Sequence, residues 1–335
     1  MLSKEYIFKR VAFLSATLIL FILASIFIML FIQAKPAMEK YGIHFLFDKS
    51  WNKTVIIEEK NPSNSKINVS VSKKIQNNMD IDEDENLFAD DDMPGIDSEN
   101  QDETSVKTDT VFGGFIPIVG TILSTFIAMF FAVPLSMGTA VFLSEIAPKQ
   151  FVKPIGVAIE LLAAIPSIIY GMWGLFYFAP IVQKIFGGSQ ISLLSAGLVL
   201  GIMILPFMSA ITRDSLNATP NVLKESAYAL GATQFEIVKD IVFPYAKVGI
   251  IGSIILSLGR ALGETMAVAF LIGSVFRLPH SLTDPSISIP VVLANNFGEA
   301  NNEMLSSLYY LSFVLFVFSF VIIGMAKFYF LRKKR

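Results

Sequence analysis

The sequence predicts an all-α membrane protein with six transmembrane helices, and three observations carry that expectation. The chain is 53% apolar and holds 30 phenylalanines among 335 residues, with a positive mean hydropathy. Only 16% of its residues are charged, against about 25% in an ordinary soluble domain. The charges are also clustered, leaving uncharged runs of the roughly 20 residues that a bilayer-crossing helix needs.

The first such run, Val11 to Ile32, follows Lys4, Lys9 and Arg10. The apolar core of a cleaved secretory signal spans only about 7–15 residues. This longer run therefore reads as a retained span. The six spans are expected at about 11–33, 115–143, 155–182, 191–211, 248–275 and 306–328. Pro117, Pro134 and Pro166 predict kinks in the second and third, where neighbouring helices or water must satisfy the freed backbone groups.

Basic residues give the orientation. Lys4, Lys9 and Arg10 precede span one, and Lys149 and Lys153 separate spans two and three. Arg213, Lys224, Lys239 and Lys247 lie between spans four and five, and Arg332, Lys333, Lys334 and Arg335 end the chain. With six spans all four groups fall on one side, which the positive-inside rule makes the cytoplasm. Both termini are then expected to be cytoplasmic.

Residues 55–110 differ from the rest. They hold 15 acidic and 5 basic residues, so their net charge is −10 within a chain of net charge −2. The alternation of Asp80, Asp82 and Asp84 suggests a calcium loop, yet Glu85 stands where an EF-hand loop needs glycine. With few apolar residues to build a core, the stretch reads as a solvated, disordered acidic insert. The expected layout is an N-terminal transmembrane helix at 1–35 and an extracytoplasmic segment at 36–110. A membrane-spanning core follows at 111–330, and a basic tail at 331–335 closes the chain.

Enzymatic readings find no support. The sequence has no G-x-x-x-x-G-K-[ST], H-E-x-x-H or G-x-S-x-G pattern. It has no cysteine, and its two histidines, His44 and His280, fall in loops far apart in sequence. No catalytic residue, metal site or nucleic-acid partner is expected.

One polar segment between spans four and five carries a specific pattern. Glu225-Ser226-Ala227-Tyr228-Ala229-Leu230-Gly231 is followed nine residues later by Ile241-Val242-Phe243-Pro244. It resembles the EAA loop of ABC-importer permeases, E-A-A-x3-G-x9-I-x-L-P, with Ser226 and Phe243 replacing the usual Ala and Leu. Two further runs, Gly259-Arg260-Ala261-Leu262-Gly263-Glu264-Thr265-Met266-Ala267-Val268 and Leu162 through Gly171, resemble the PstC family of phosphate-importer permease subunits. So do Gly120-Thr121 and the stretch from Arg277-Leu278-Pro279 to Asn296-Phe297-Gly298-Glu299-Ala300. The likeness covers nearly everything from residue 111 onward, plus span one.

That resemblance implies a MetI-like type I importer fold in the bacterial inner membrane, and ATP-driven uptake of inorganic phosphate. It implies a coupling helix at about 221–235, with Glu225, Ala227, Gly231, Ile241 and Pro244 as the coupling residues. It also implies three kinds of partner besides membrane lipid: a PstA-like sister permease, a PstB-like ATPase dimer and a PstS-like extracytoplasmic phosphate-binding protein. The chain is expected to bind no cofactor itself, ATP-Mg belonging to the ATPase. Other oxyanion permeases (sulfate, molybdate, phosphonate) and a secondary transporter or channel are the alternatives.

Arg260 and Glu264 stand out physically as well. Arg260 lies about 18 Å along a helix starting at Val248 and crossing a ~30 Å core. A charge at that depth costs about 2.5–3.5 kcal/mol on insertion scales, so both residues are expected to face protein or water. On a continuous helix the i, i+4 spacing puts them on one face, able to neutralise each other. One reading is a structural ion pair. The other is a substrate pathway in which the Arg260 fork takes the oxyanion and Glu264 tempers its affinity. Glu160, before the Pro166-Ser167 break, reads as a helix–cytoplasm boundary residue or a buried partner for a base elsewhere. Ser167 is a weaker candidate for a polar lining.

Overall fold

The computed structural model describes residues 2–57 and 107–332. The greater part of the acidic insert, with its aspartate alternation, and residues 333–335 of the basic tail lie outside them.

Six helices among the described residues are long and apolar enough to cross a membrane, matching the expected number. They begin with α1 (Leu2–Tyr41), which runs through span one and ends in a 3₁₀ turn, Gly42–Leu46. α2 (Phe115–Val141) closes in a π turn over Phe142–Ile146. α3 (Lys149–Ala163), α4 (Ser167–Trp173) and α5 (Ala179–Phe186) follow, then α6 (Leu193–Asn217). α7 (Asn221–Ala229) and the short α8 (Gln234–Ile237) lead through a π turn into α9 (Phe243–Leu262). α10 (Met266–Ile272), α11 (Ile289–Asn296) and α12 (Asn302–Arg332) complete the chain.

Two expected spans are broken. Span three is separate helices on either side of Ala164–Pro166, because Pro166 supplies no N–H and disfavours helix at the residue before it. Tyr170 Oη donates to the Leu162 carbonyl across that break at 2.8 Å, beside the Ile165 N–H at 3.3 Å. Span five begins earlier than expected, with continuous helix from Gln234 to Leu262, and then breaks at Gly263–Thr265.

The core is centred on α6, which packs against α2, α9, α10 and α3. Leu200, Met203, Ile204 and Met208 of α6 are fully buried. Buried hydroxyls cross the α6–α9 seam, where Thr212 Oγ1 and Ser253 Oγ are 2.8 Å apart. Such small polar residues let helices approach closely and bond across an apolar interface. α1 packs on α12 at the periphery through Phe27 and Phe31 against Phe313 and Phe316. Its remaining apolar face is exposed, as a lipid-facing helix requires.

The stretch after α1 is held to the same body. Phe45 stacks on Tyr310 with ring centroids 4.5 Å apart, and Trp51 stacks on Phe276 at 5.1 Å. His44 and His280 are both exposed. A separate unit consists of two antiparallel strands, β1 (Lys53–Ile57) and β2 (Lys107–Val111), in register Lys53↔Val111 to Ile57↔Lys107. The all-α expectation missed this ladder, although the β-branched run Thr54-Val55-Ile56-Ile57 and the residues Thr108, Thr110 and Val111 favour extended chain.

The loop between α10 and α11 is organised by Asp284, whose Oδ2 accepts from the backbone N–H groups of Ser281 at 3.0 Å and His280 at 2.9 Å. Those bonds, the Ser281 one foremost, hold its carboxyl below the usual carboxylate range, helped by the charge of Arg277. A depressed folded-state pKa stabilises the fold above the unfolded value of about 4 and loses that contribution as pH falls through the folded value. The melting temperature of the wild-type protein should therefore fall more steeply below about pH 5 than that of Asp284→Asn. Parallel melting curves from pH 7 to pH 3 would remove Asp284 as a contributor.

Candidate functional site

The break at Gly263–Thr265 ends α9 just after Arg260 and leaves Glu264 in the turn before α10. Arg260 lies in the last turn of α9, at about 39 Å from the start of that helical run by the 1.5 Å rise. The helix is not continuous through Glu264, so the expected i, i+4 face does not exist there. Among the described residues no ion pair joins the two. Glu264 instead accepts from the Ala267 N–H at 3.3 Å, in the first turn of α10. Each charge suits its helix end, a cation near a C-terminus and an anion near an N-terminus. The stop was written in the sequence as a basic residue in the last turn, Gly263, then a polar pair opening the next helix.

Arg260 is held by aromatic rather than acidic neighbours. Its guanidinium carbon sits 5.3 Å from the centroid of the Phe207 ring of α6, within cation–π range. Tyr170 of α4 lies within electrostatic reach of it. Both Arg260 and Glu264 are half-buried. α4 packs directly on α10, with Gly171 facing Ala267 and Phe270 so closely that a Cβ there would meet Ala267 Cα at 3.0 Å. The tertiary fold thus brings together the two distant runs, 162–171 and 259–268. Ser167 is half-buried at the start of α4. Sequence reasoning missed Phe207, and Tyr170 was quoted only as part of a run.

Beside the break lies a cavity of about 640 Å³ walled by Gly263, Thr265, Leu293, Phe297, Tyr309 and Ser312, among others. Among the described residues no basic side chain lines it. Glu160 pairs with Arg213 at 3.0 Å, so it does meet a distant base, but its own side chain is 60% exposed and the expected burial is not found. Pairs this exposed are worth about 1 kcal/mol or less.

At the far end of α9, residues 221–244 form a compact polar turn. Pro220 sits at the N-cap of α7, one residue before its first helical position. Glu225 lies in the middle of α7 and is exposed, away from the helix start at Asn221. Ala227 is buried in a small cluster with Ala140, Leu216, Ile237, Val242 and Ala246, with Ile241 packed against it. Gly231 has φ +85°, a left-handed conformation that glycine adopts without steric penalty. That turn lets α8 fold back, and a Thr233–Glu236 capping box starts it. Pro244 is exposed near the start of α9.

The outer side of this turn is apolar. Val222, Tyr228, Phe235 and, at 90% exposure, Leu230 are uncovered. Its inner side is tied to α2 by a Lys224–Glu145 ion pair at 2.6 Å, which the sequence pattern did not reveal.

Comparison with known proteins agrees with this architecture. Residues 117–335 match the family described as the binding-protein-dependent transport system inner membrane component. The chain is 48% identical over 236 residues to the phosphate transport system permease protein PstC of Pasteurella multocida, covering 64% of this chain and 74% of that protein. It is 46% identical over 236 residues to the PstC of Haemophilus influenzae, covering 64% and 75%. It is 39% identical to a probable PstC of Methanocaldococcus jannaschii over 231 residues, covering 63% and 73%. Among solved structures, a chain of the inward-facing MetNI methionine ABC transporter superposes with TM-score 0.54 at 18% identity, covering 65% of this chain and 95% of that one. A bacterial ABC transporter involved in alginate import gives 0.52 at 15% identity, covering 65% and 79%. The expected MetI-like permease fold is the one found.

Proposed function

This chain belongs to the binding-protein-dependent transport system inner membrane components, and within them to the PstC permeases, and from that premise we propose that it carries inorganic phosphate. It is a multi-pass inner membrane permease subunit of an ABC importer, working with other components of that importer. The proposal adds the cargo, the residues and the named partners. The observation that carries it is the helix break, which leaves Arg260 charged, half-buried and unopposed by Glu264. An unpaired guanidinium in a partly desolvated setting is a strong, bidentate oxyanion donor. Glu264, close by in sequence, accepts a hydrogen bond from protonated phosphate, which fully ionised sulfate cannot donate.

A PstA-like sister permease forms the other half of the pathway, and a PstS-like binding protein delivers phosphate from outside. Two PstB-like ATPase subunits bind ATP-Mg, and this chain binds no cofactor. The termini and the 221–244 turn face the cytoplasm. There the exposed Val222, Tyr228, Leu230 and Phe235 enter the ATPase, and Glu225, Ala227, Gly231, Ile241 and Pro244 shape the turn. ATP binding closes the ATPase dimer, the turn transmits that motion, and the region around Arg260 changes the side from which it is reached.

The test is labelled phosphate uptake in cells lacking their own permease, supplied with this chain and its partners. Uptake should require ATP hydrolysis and persist in excess sulfate. Sulfate competition would move the cargo to another oxyanion, and ATP-independent flux would return the chain to a channel or secondary transporter.

A further inference from the structure

Glu145 fastens the 221–244 turn to the end of α2 at two points. Its carboxylate accepts from Lys224 Nζ at 2.6 Å, the two side chains being only 10% and 16% exposed. Its backbone carbonyl accepts from Gln234 Nε2, also at 2.6 Å. Lys224 belongs to α7 and Gln234 opens α8, so one residue grips both limbs of the turn, on either side of Gly231. The three residues are 79 and 89 positions apart in sequence, so no local pattern predicts the junction.

The setting of Glu145 favours transmission over simple anchoring. It lies in the π turn that ends α2, closed by the Ala147 N–H to Phe142 carbonyl bond at 2.7 Å. Such turns interrupt the α register and often mark functional positions. The neighbouring Ala140 is fully buried in the same cluster as Ala227 and Ile237, so α2 and the turn share packing as well as charge. From there α2 runs against α6, whose Phe207 holds Arg260. At its other end the Thr121 hydroxyl accepts from the Ile289 N–H at 2.9 Å, fixing the start of α11. A push on the turn thus reaches both faces of the Arg260 region through α2, besides the direct route along α9.

We infer that Glu145 is the positioning residue that couples the ATPase-facing turn to α2, so that α2 and α9 move together. This inference rests on the proposed ATPase coupling of the turn. Without the Lys224–Glu145 pair the turn still moves with the ATPase, but it drags α9 alone and the pathway opens incompletely.

The experiment uses the complete transporter reconstituted in vesicles, with co-purification to check assembly and the ATP hydrolysed per phosphate taken up as the readout. Glu145→Gln and Lys224→Met should each assemble and hydrolyse ATP. Each should raise the ATP-to-phosphate ratio by about fivefold or more, the scale of ordinary coupling between distant sites. The double exchange Glu145→Lys with Lys224→Glu rebuilds the pair and should bring the ratio back toward wild type. An unchanged ratio in both single variants overturns the inference, as does loss of assembly that the double exchange fails to rescue, which would make the pair merely structural. If the wild-type complex itself shows no ATP-stimulated uptake, the proposed function and this inference fall together.

Discussion

Replacing Arg260 with glutamine is expected to lower ATP-driven phosphate uptake by roughly ten- to a hundredfold while the complex still assembles. Hydrogen bonds to charged groups contribute about 1.5–3 kcal/mol, and each 1.4 kcal/mol is about tenfold in affinity or rate. The side chain is available for that contribution because, among the described residues, no carboxylate forms an ion pair with it. Its guanidinium lies over the Phe207 ring at 5.3 Å instead. Arg260→Lys keeps the charge but loses the planar two-point fork, so its uptake should fall between wild type and glutamine. Labelled uptake with co-purification of the partner subunits gives the reading. Full uptake by an assembled Arg260→Gln complex would reduce Arg260 to a structural residue.

Gly120→Ala should destabilise the protein more than its size suggests. A Cβ on Gly120 would stand 2.0 Å from the Ile287 carbonyl oxygen, and that atom is backbone, not a side-chain tip. Ile287 is 1% exposed, and the neighbouring Ile289 N–H is held by Thr121 Oγ1 at 2.9 Å. The 286–289 segment therefore has no direction in which to give. Overpacking costs about 1–3 kcal/mol, and tearing the buried Ile289 N–H from its acceptor adds about 1–3 kcal/mol more. The thermal midpoint of the purified protein in detergent should drop by roughly 4–24 °C, at about 2–4 °C per kcal/mol on a loss of about 2–6 kcal/mol. Gly138→Ala is the matched control, because a Cβ there meets nothing within 4 Å. On the exposed side of α2 it should be neutral or slightly stabilising. Equal melting of the two variants would dismiss the close α2–α11 contact.

Much of the fold was legible because a bilayer imposes length and polarity on each span separately. The positions of α1, α2, α6 and α12 followed from uncharged runs alone, and Pro166 announced the break before α4. The second break was missed although Arg260, Gly263 and the Glu264-Thr265 pair spell a helix stop and restart. A strong apolar run on both sides masked that punctuation. The β1–β2 ladder was missed because a charged, apolar-poor segment dominated the reading of its surroundings. In the 221–244 turn, the glycine of the EAA-like pattern stands where the chain takes a positive φ, a conformation that favours glycine.

The sequence by itself determined which segments enter the membrane, how many there are and which family of permease they build. Those properties depend on local hydrophobicity and on short-range spacing along one chain. Only the tertiary structure decided what the charged groups do. Glu264 accepted from the Ala267 N–H of α10, Phe207 took the guanidinium, Arg213 found Glu160, and Lys224 found Glu145 across 79 residues. A charge in a low-dielectric body is assigned by whichever partner packing brings within a few ångströms, and that distance is set by helices meeting in space.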